Sequence, residues 1–210
     1  MDMWKKNIMQ LVSRIALPGR RPGGFTLVEL MVVIAITSIL ASAGAYYTLN
    51  ALPLLRLKRA TRVLMSQMQQ IKLNAIKENR EWQIRFPFPF AAQPVAPAGT
   101  YQIISGGPDR EMGGGDDIVV QTVRLADYGS GVTFGFGNAT ANWSGGATTQ
   151  QNAVTFNSSG RKIDFPNSGS TYLTNQDNTI AYAITVLGTG SIKLRMYSGI
   201  TPFNTRNWIN

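Results

Sequence analysis

The sequence contains no cysteine and no histidine among its 210 residues. Without cysteine the chain forms no disulfide bond, and without either residue type it offers no zinc site of the usual His/Cys kind. A Ser-His-Asp triad is excluded, and so is any acid–base step that depends on histidine. Mechanisms based on carboxylates remain open, although no catalytic constellation of such residues is visible.

Acidic residues are also scarce, with 11 Asp and Glu against 20 Lys and Arg and a net charge of +9. The charge is uneven: residues 1–24 carry a net charge of +4, and the remaining +5 is partly concentrated at Arg56, Lys58, Arg59 and Arg62. A basic chain suggests a nucleic-acid partner. However, basic residues that flank an apolar segment also orient that segment in a membrane. We favour the membrane role for both groups.

The chain divides into three zones: a basic segment over 1–24, one long helix over 25–80, and a zone of short strands over 81–210. The helix begins with the apolar run Phe25–Leu55, in which Glu29 is the one ionisable residue. About 20 apolar residues cross the hydrocarbon core of a bilayer, so this run is long enough to span it. Lipid or other subunits must therefore bury much of this helix.

Beyond Leu55 the helix pattern becomes amphipathic. Apolar residues recur at steps of three and four and predict one buried stripe, formed by Ala60, Leu64, Met68, Ile71 and Ala75. Pro53 lies at the join between the two halves and removes one backbone hydrogen bond, so we expect a kink or a looser turn there.

Residues 81–210 show short apolar alternations separated by Gly, Asn, Asp and Pro, which is typical of strands. The segment Pro87–Gly99 is too rich in proline for a central strand. The predicted strands are Trp82–Phe86, Tyr101–Ile104, Ile118–Leu125, Val132–Phe136, Val154–Phe156, Lys162–Phe165, Thr171–Thr174, Ile180–Val186 and Ile192–Tyr197.

The segment Gly24–Ile36 carries most of the functional information. Glu29 lies inside an otherwise apolar helix, where an unpaired carboxylate at the bilayer centre costs about 2.5–3.5 kcal/mol. Near the start of the helix the helix dipole favours an anion, but among other helices the carboxylate still needs a cation. Cleavage after Gly24 would create one, the ammonium group of Phe25. That group in one subunit could pair with Glu29 of its neighbour and fix their axial register.

This segment resembles the type III signal of type IV prepilins and of type II secretion pseudopilins. The resemblance implies cleavage between Gly24 and Phe25 by a membrane aspartyl prepilin peptidase, followed by N-methylation of Phe25. The cleaved leader would be residues 1–24, with either Met1 or Met9 as its start. Within the rest of the chain, the segment Val154–Arg161 and the hairpin formed by Ile180–Val186 and Gly188–Lys193 are similar to the GspH/FimT pseudopilins. That family implies an α+β fold, with the helix packed on an antiparallel β-sandwich.

An ordinary secretory signal and a plain single-pass anchor compete with a prepilin signal for the N-terminal segment. The triplet Ala41-Ser42-Ala43 fits an ordinary secretory cleavage site, but the apolar run continues past it and Glu29 would lie within the signal. A single-pass anchor accounts for the hydrophobicity but for neither Glu29 nor the Gly24–Phe25 junction. The prepilin signal is therefore favoured.

Two further groups of residues are candidate binding sites. Lys193 and Arg195 share one face of a strand. In DNA-binding minor pilins of the resembled family a Gly-Arg-x-Arg segment lies here, but this chain has Ser191 at the first arginine, so a solvated face is favoured. The Gly- and Asp-rich loop over 106–117 could form a nest for an anion or a calcium site, but it lacks the strand–loop–helix context and the lysine of a phosphate loop. We favour a flexible loop. Its candidate oxygen ligands for calcium are Asp109, Glu111, Asp116 and Asp117.

The sequence thus predicts a non-catalytic minor pseudopilin of a type II secretion system, with no cofactor. Its partners would be the prepilin peptidase, the inner membrane and other pilins or pseudopilins contacted through the N-terminal helix. The N-terminus would be cytoplasmic and residues 81–210 periplasmic, first in the inner membrane and then in a filament. The alternatives are a minor type IV pilin that primes pilus assembly or DNA uptake, and a membrane-anchored periplasmic ligand-binding domain.

Overall fold

The computed structural model describes residues 24–88, 95–142, 144, 146–164, 168–197 and 208–209. Most of the predicted leader therefore lies outside the described residues. The chain divides into two compact units, Met1–Tyr47 and Thr48–Asn210. The long helix α1 runs from Leu27 to Glu78 and continues through Pro53.

Within the second unit, α1 buries the stripe that the sequence predicts. All five predicted residues are 0–1% exposed, and Leu57 and Thr61 are buried beside them. The Thr61 hydroxyl donates a 2.7 Å hydrogen bond to the Leu57 carbonyl, one turn earlier. A buried hydroxyl thus has its partner inside the helix, so it adds no unsatisfied polar group to the core.

In the described part of the chain, nine strands follow the helix and form two antiparallel sheets. The first sheet has the order β3-β2-β1-β5, with β1 at Trp82–Arg85, β2 at Thr100–Ser105, β3 at Ile118–Arg124 and β5 at Ala153–Phe156. The second has the order β4-β6-β7-β8-β9, with β4 at Val132–Phe134, β6 at Gly169–Asn175, β7 at Ala181–Val186, β8 at Ile192–Tyr197 and β9 at Trp208–Ile209. A short 3-10 helix, Leu125–Tyr128, lies between β3 and β4.

One apolar core joins the helix to both sheets. It contains the α1 stripe, Ile84 and Tyr101 from the first sheet, and Leu173 and Ile184 from the second. A smaller cluster, Ala139, Tyr172, Ala181, Ala183 and Tyr197, lies apart from it. Every residue of β7 is buried. The chain therefore has an α+β fold, one long helix followed by two antiparallel sheets, as the sequence predicts.

The predicted strand Lys162–Phe165 is wrong in the part that the structure describes. Lys162 forms an isolated bridge with Phe156, and Phe165 lies outside the described residues. The cause is a buried polar pair: the Lys162 ammonium lies 3.5 Å from the Asp164 carboxylate, which accepts hydrogen bonds from the backbone amide and the hydroxyl of Thr155. Asp164 therefore folds back onto β5 instead of continuing a ladder.

Smaller differences include the end of β3 and one additional short strand, β9. Leu125 begins the 3-10 helix instead of ending β3, because it is buried and its amide donates a 3.0 Å hydrogen bond to the Gly99 carbonyl. Strand β9 was not predicted, since two residues are too short to show an alternating pattern.

Candidate processing and docking site

The predicted cleavage junction lies in non-helical chain. Gly24, Phe25 and Thr26 precede the first helical residue, Leu27. The Phe25 side chain is 83% exposed, and no described atom lies within 4 Å of the space that a Cβ on Gly24 would fill. A peptidase can bind such an extended, accessible segment without first unwinding a helix.

Thr26 ends this segment and caps the helix. Its hydroxyl accepts a 3.1 Å hydrogen bond from the Glu29 backbone amide, and its carbonyl accepts one of 3.1 Å from the Leu30 amide. A threonine followed three residues later by glutamate is the sequence pattern of a capping box. The cap was not predicted from the sequence, although the local pattern Thr26-x-x-Glu29 signals it.

Glu29 therefore lies in the first turn of α1, where the positive end of the helix dipole favours a carboxylate. Its side chain is exposed. None of the ion pairs found among the described residues includes it. The dipole stabilises the charge in part, and a cation from another molecule could approach it freely.

The other polar side chains early in α1 are satisfied within the helix. The Thr37 hydroxyl lies 2.9 Å from the Val33 carbonyl oxygen, and those of Ser38 and Ser42 lie 2.7 Å from the carbonyl oxygens of Ile34 and Ser38. Such bonds to the preceding turn let hydroxyls enter an apolar medium without losing a partner. By length and composition, α1 is the one helix in the described chain that could cross a membrane, and its most apolar window is 0% buried.

Two adjacent tyrosines follow this apolar stretch. The rings of Tyr46 and Tyr47 pack edge to face with centroids 6.2 Å apart, and both are exposed. Tyrosine is enriched where a membrane meets water. The helix rises about 26 Å between Glu29 and Tyr46, which is close to the roughly 30 Å of a hydrocarbon core. This spacing suits a bilayer segment between Glu29 and the tyrosine pair.

The two basic residues that we considered for nucleic acid lie on β8. Ile192, Leu194 and Met196 pack against the core, so Lys193 and Arg195 lie on the other face. Lys193 is exposed, whereas Arg195 is half-buried. The structure thus presents one exposed cation here, Lys193, with Ser191 and not an arginine two residues before it.

The Gly- and Asp-rich loop directs its carboxylates at its own backbone. Asp109 accepts a 3.0 Å hydrogen bond from the Glu111 amide, Asp117 one of 3.1 Å from the Gly113 amide, and Asp116 one of 3.4 Å from the Asp109 amide. No group of three or more metal-ligating side chains is found among the described residues. The carboxylates of Asp109, Asp116 and Asp117 therefore stabilise the loop.

The two segments that resemble the GspH/FimT pseudopilins meet on α1. The first is a turn after β5, in which the Asn157 side chain accepts hydrogen bonds from the Ser159 and Arg161 amides at 3.1 and 3.0 Å. Gly160 closes it with φ +71°. The second is the β7–β8 turn, where Gly190 has φ +79° and its carbonyl accepts a 2.9 Å hydrogen bond from the Lys72 ammonium. These turn motifs are therefore packing sites on the helix.

Comparison with known proteins finds two family models that match this chain and two similar solved structures. A family model of the prokaryotic N-terminal methylation motif matches residues 19–45. Among curated proteins no match is found. Two crystal structures of the type IV minor pilin FimU from Pseudomonas aeruginosa (strain PAO1) are similar to this chain at 12% and 13% identity. Each alignment covers 66% of this chain, with 87% and 91% of the FimU chains and TM-scores of 0.43 and 0.41.

The more extensive family match covers most of the folded domain. The model of the type II transport protein GspH matches residues 60–190, which includes the buried half of α1, both turn motifs and all but the last strands. That is more than half of the chain, so this protein is a member of the GspH family and carries the prokaryotic methylation motif at its N-terminus.

Proposed function

We propose that this chain is a non-catalytic minor pseudopilin of a type II secretion system, cleaved between Gly24 and Phe25, N-methylated on Phe25 and docked into a periplasmic filament through Glu29. Its coarser assignment, a type IV pilin-like minor pilin or pseudopilin, follows from the family match. Such proteins assemble with other pilins or pseudopilins. The family that matches the folded domain is described as a type II transport protein, which supports the secretion role.

One observation carries the docking mechanism. Between Leu27 and Tyr47 the hydroxyls of Thr37, Ser38 and Ser42 are satisfied within the helix, whereas the Glu29 carboxylate has no ion-pair partner among the described residues. Such a helix enters an apolar environment at a low free-energy cost except at the Glu29 carboxylate. An ammonium group supplied by a neighbouring Phe25 would remove that cost and define one axial position.

Intact-mass analysis of the protein from its native host tests the processing step. We expect a chain that begins at methylated Phe25. Gly24→Val should leave the full-length precursor, because a branched side chain would fill the space beside the cut that is open at Gly24. A mature chain that begins at Gly44 or Tyr46, or one that retains the leader, would contradict the proposal.

Deletion of the gene in that host distinguishes secretion from pilus assembly. For a pseudopilin, the release of folded exoproteins into the medium should stop while surface pili persist, and the wild-type gene but not the Gly24→Val variant should restore release. Normal secretion with loss of pili would instead identify a minor type IV pilin. Retention of both functions would favour an anchored ligand-binding domain.

A further inference from the structure

Four cations follow the apolar run of α1 directly: Arg56, Lys58, Arg59 and Arg62. A second basic group, the segment 1–24 with its net charge of +4, precedes the same run. The positive-inside rule accounts for basic residues on one side of a membrane helix only. One of the two groups therefore has a role other than orienting the chain.

Arg56 is bound to its own domain. Its guanidinium donates a 3.0 Å hydrogen bond to the Ser130 hydroxyl, and its side chain fills the space that a Cβ on Gly129 would need. Arg56 thus fastens the helix to the loop that follows the 3-10 helix. This contact gives one of the four cations a structural role and leaves three to be explained.

The other three cations, Lys58, Arg59 and Arg62, are exposed. None of the ion pairs among the described residues includes them. Their own helix offers no carboxylate, because residues 30–77 contain no Asp or Glu. Arg62 lies near Tyr182, whose pKa burial raises, so that neighbour is a neutral phenol at pH 7. Like charges three and four positions apart on a helix repel one another, so an external anion would stabilise this group.

The three cations lie on one side of α1, away from the stripe that packs on the sheets. Arg62 follows Arg59 by three positions and Lys58 by four, which places all three on one face. Leu55 is on the same face one turn earlier and is 57% exposed. The Cα–Cβ bonds of a helix tilt toward its N-terminus, which here is the direction of the apolar run. Long basic side chains can therefore reach back toward a membrane surface.

We propose that Lys58, Arg59 and Arg62 form a binding site for the headgroups of anionic phospholipids. The apolar run before them is the segment that can cross a membrane, and Lys and Arg just outside such a segment attract anionic lipids. From Leu55 to Arg62 the helix rises about 10 Å. All three charges thus lie within about a Debye length of the level at which the apolar run ends.

Phosphate groups of nucleic acid offer the same chemistry, but the position of the site favours lipid. A chain held by its apolar run always has phospholipid headgroups beside the first turns that leave the membrane. Each bound headgroup would accept charge-assisted hydrogen bonds from the Lys and Arg side chains. Duplex DNA is therefore the competing ligand in the test.

Local enrichment of a lipid can be measured at one site because the sequence has no cysteine. Leu55→Cys carries a bimane fluorophore, and the full-length chain is reconstituted in vesicles of phosphatidylcholine with a minority of phosphatidylglycerol. A nitroxide near the headgroup of either lipid quenches the fluorophore on contact. At equal amounts, labelled phosphatidylglycerol should quench roughly twofold more than labelled phosphatidylcholine. The signal is local to position 55, so the basic residues that precede the apolar run do not contribute to it.

Two triple variants of this labelled chain lose the same charge. The site variant replaces all three proposed cations by glutamine, a good helix former. The control variant loses exposed cations elsewhere: Lys77→Gln, Arg124→Gln and Lys193→Gln. Quenching by the two lipids should become equal in the site variant and stay unequal in the control variant. High salt should lower the preference of the parent, because it screens exposed charges.

Three results would overturn the proposal. The first is equal quenching of the parent by the two lipids, and the second is no quenching by either lipid, which would place position 55 away from the membrane. The third is a site variant that keeps the lipid preference of the parent. If that variant also fails to bind duplex DNA that the parent binds in detergent, the cations serve nucleic acid instead. None of these results depends on whether the chain serves a secretion or a pilus system.

Discussion

The carbonyl oxygen of Gly160 occupies the space that a Cβ on Gly190 would need. The two glycines belong to different turns, one after β5 in the first sheet and one between β7 and β8 in the second. The Lys72 side chain of α1 lies against both of them. Both glycines have positive φ, and the Gly160 carbonyl leaves no room for a side chain at position 190.

A series of Gly→Ala variants should separate these two effects. Gly99 has φ +70° with nothing within 4 Å of its Cβ position, so Gly99→Ala should cost about 1 kcal/mol from backbone strain alone. Gly160→Ala adds a contact at 2.8 Å with the flexible end of Ile76 and should cost somewhat more. Gly190→Ala meets backbone and should cost about 3 kcal/mol or abolish folding. Chemical denaturation of the detergent-solubilised chain measures the order, and equal losses at all three sites would contradict it.

Lys72→Met tests the hydrogen bond between α1 and the β7–β8 turn. The substitution keeps the aliphatic stem but removes the 2.9 Å hydrogen bond to the Gly190 carbonyl. A hydrogen bond to a charged group contributes about 1.5–3 kcal/mol, and we expect a loss of stability in that range. Lys77→Met, on an exposed part of the same helix, is the control and should change the unfolding free energy by less than about 0.5 kcal/mol. Similar losses of unfolding free energy in both variants would show that this hydrogen bond does not stabilise the fold.

Glu29 and Thr26 can be tested separately for docking and for capping. Glu29→Val removes the carboxylate but leaves the backbone amide that Thr26 caps. It should therefore keep the membrane level and the cleavage of the chain, while cross-linking to other pilins falls to background. Thr26→Val removes the cap, a loss of about 1 kcal/mol at the helix start, and should leave cross-linking largely intact. Normal incorporation of Glu29→Val would exclude the carboxylate as the docking group.

The proposed topology can be tested with reporters fused after Asn210. The five basic residues of the leader should hold the N-terminus in the cytoplasm. Alkaline phosphatase should therefore be active in the fusion, whereas a reporter that works only in the cytoplasm should be silent. The opposite pattern would place residues 81–210 on the cytoplasmic side.

Glu81 should make stability depend on pH. Burial raises the pKa of this carboxyl above 4.5; the Met112 amide opposes that effect, and the carboxylates of Glu111, Asp164 and Asp109 add to it. In the range between 4.5 and the raised pKa, the folded chain binds more protons than the unfolded chain. Glu81 therefore destabilises the fold fully above this range and ceases to do so below it.

Glu81→Gln removes this charge and keeps an acceptor for the Met112 amide. We expect its melting temperature to exceed that of the parent by a degree or two at pH 7, and the difference to shrink as the pH falls toward 4.5. The full-length parent and the full-length variant are compared in the same detergent. A difference that is constant from pH 7 to pH 4.5 would show that the titration of Glu81 does not contribute.

The local patterns of the sequence were sufficient to predict the helix and most of the strands. Ala60, Leu64, Met68, Ile71 and Ala75 are spaced by the helix period, and the structure buries all five. The strands were recognisable as short apolar alternations that turn residues separate from one another. Apart from the predicted strand Lys162–Phe165, the elements predicted from spacing agree with the structure within a few residues.

Contacts between distant segments could not be predicted in this way. Lys72 and Gly190 are 118 positions apart, and no local pattern shows that a helix lysine will meet a turn carbonyl. From the sequence alone, Lys162 and Asp164 look like residues of an exposed strand. Their burial depends on hydrogen bonds from Thr155 to the Asp164 carboxylate, which no local pattern shows. The Thr26 cap is the exception, since its signal was local and was overlooked.

The meeting of Lys72, Gly160 and Gly190 also bears on the order of folding. The helix is synthesised first, yet β7 and β8, which help to cover its stripe, come near the end of the chain. Closing such long loops is slow compared with forming local contacts. If the N-terminal part of α1 enters the membrane first, the apolar stripe of α1 stays uncovered until residues 181–197 have been translocated. A chaperone or a neighbouring subunit that shields this stripe during translocation would protect the newly made domain from aggregation.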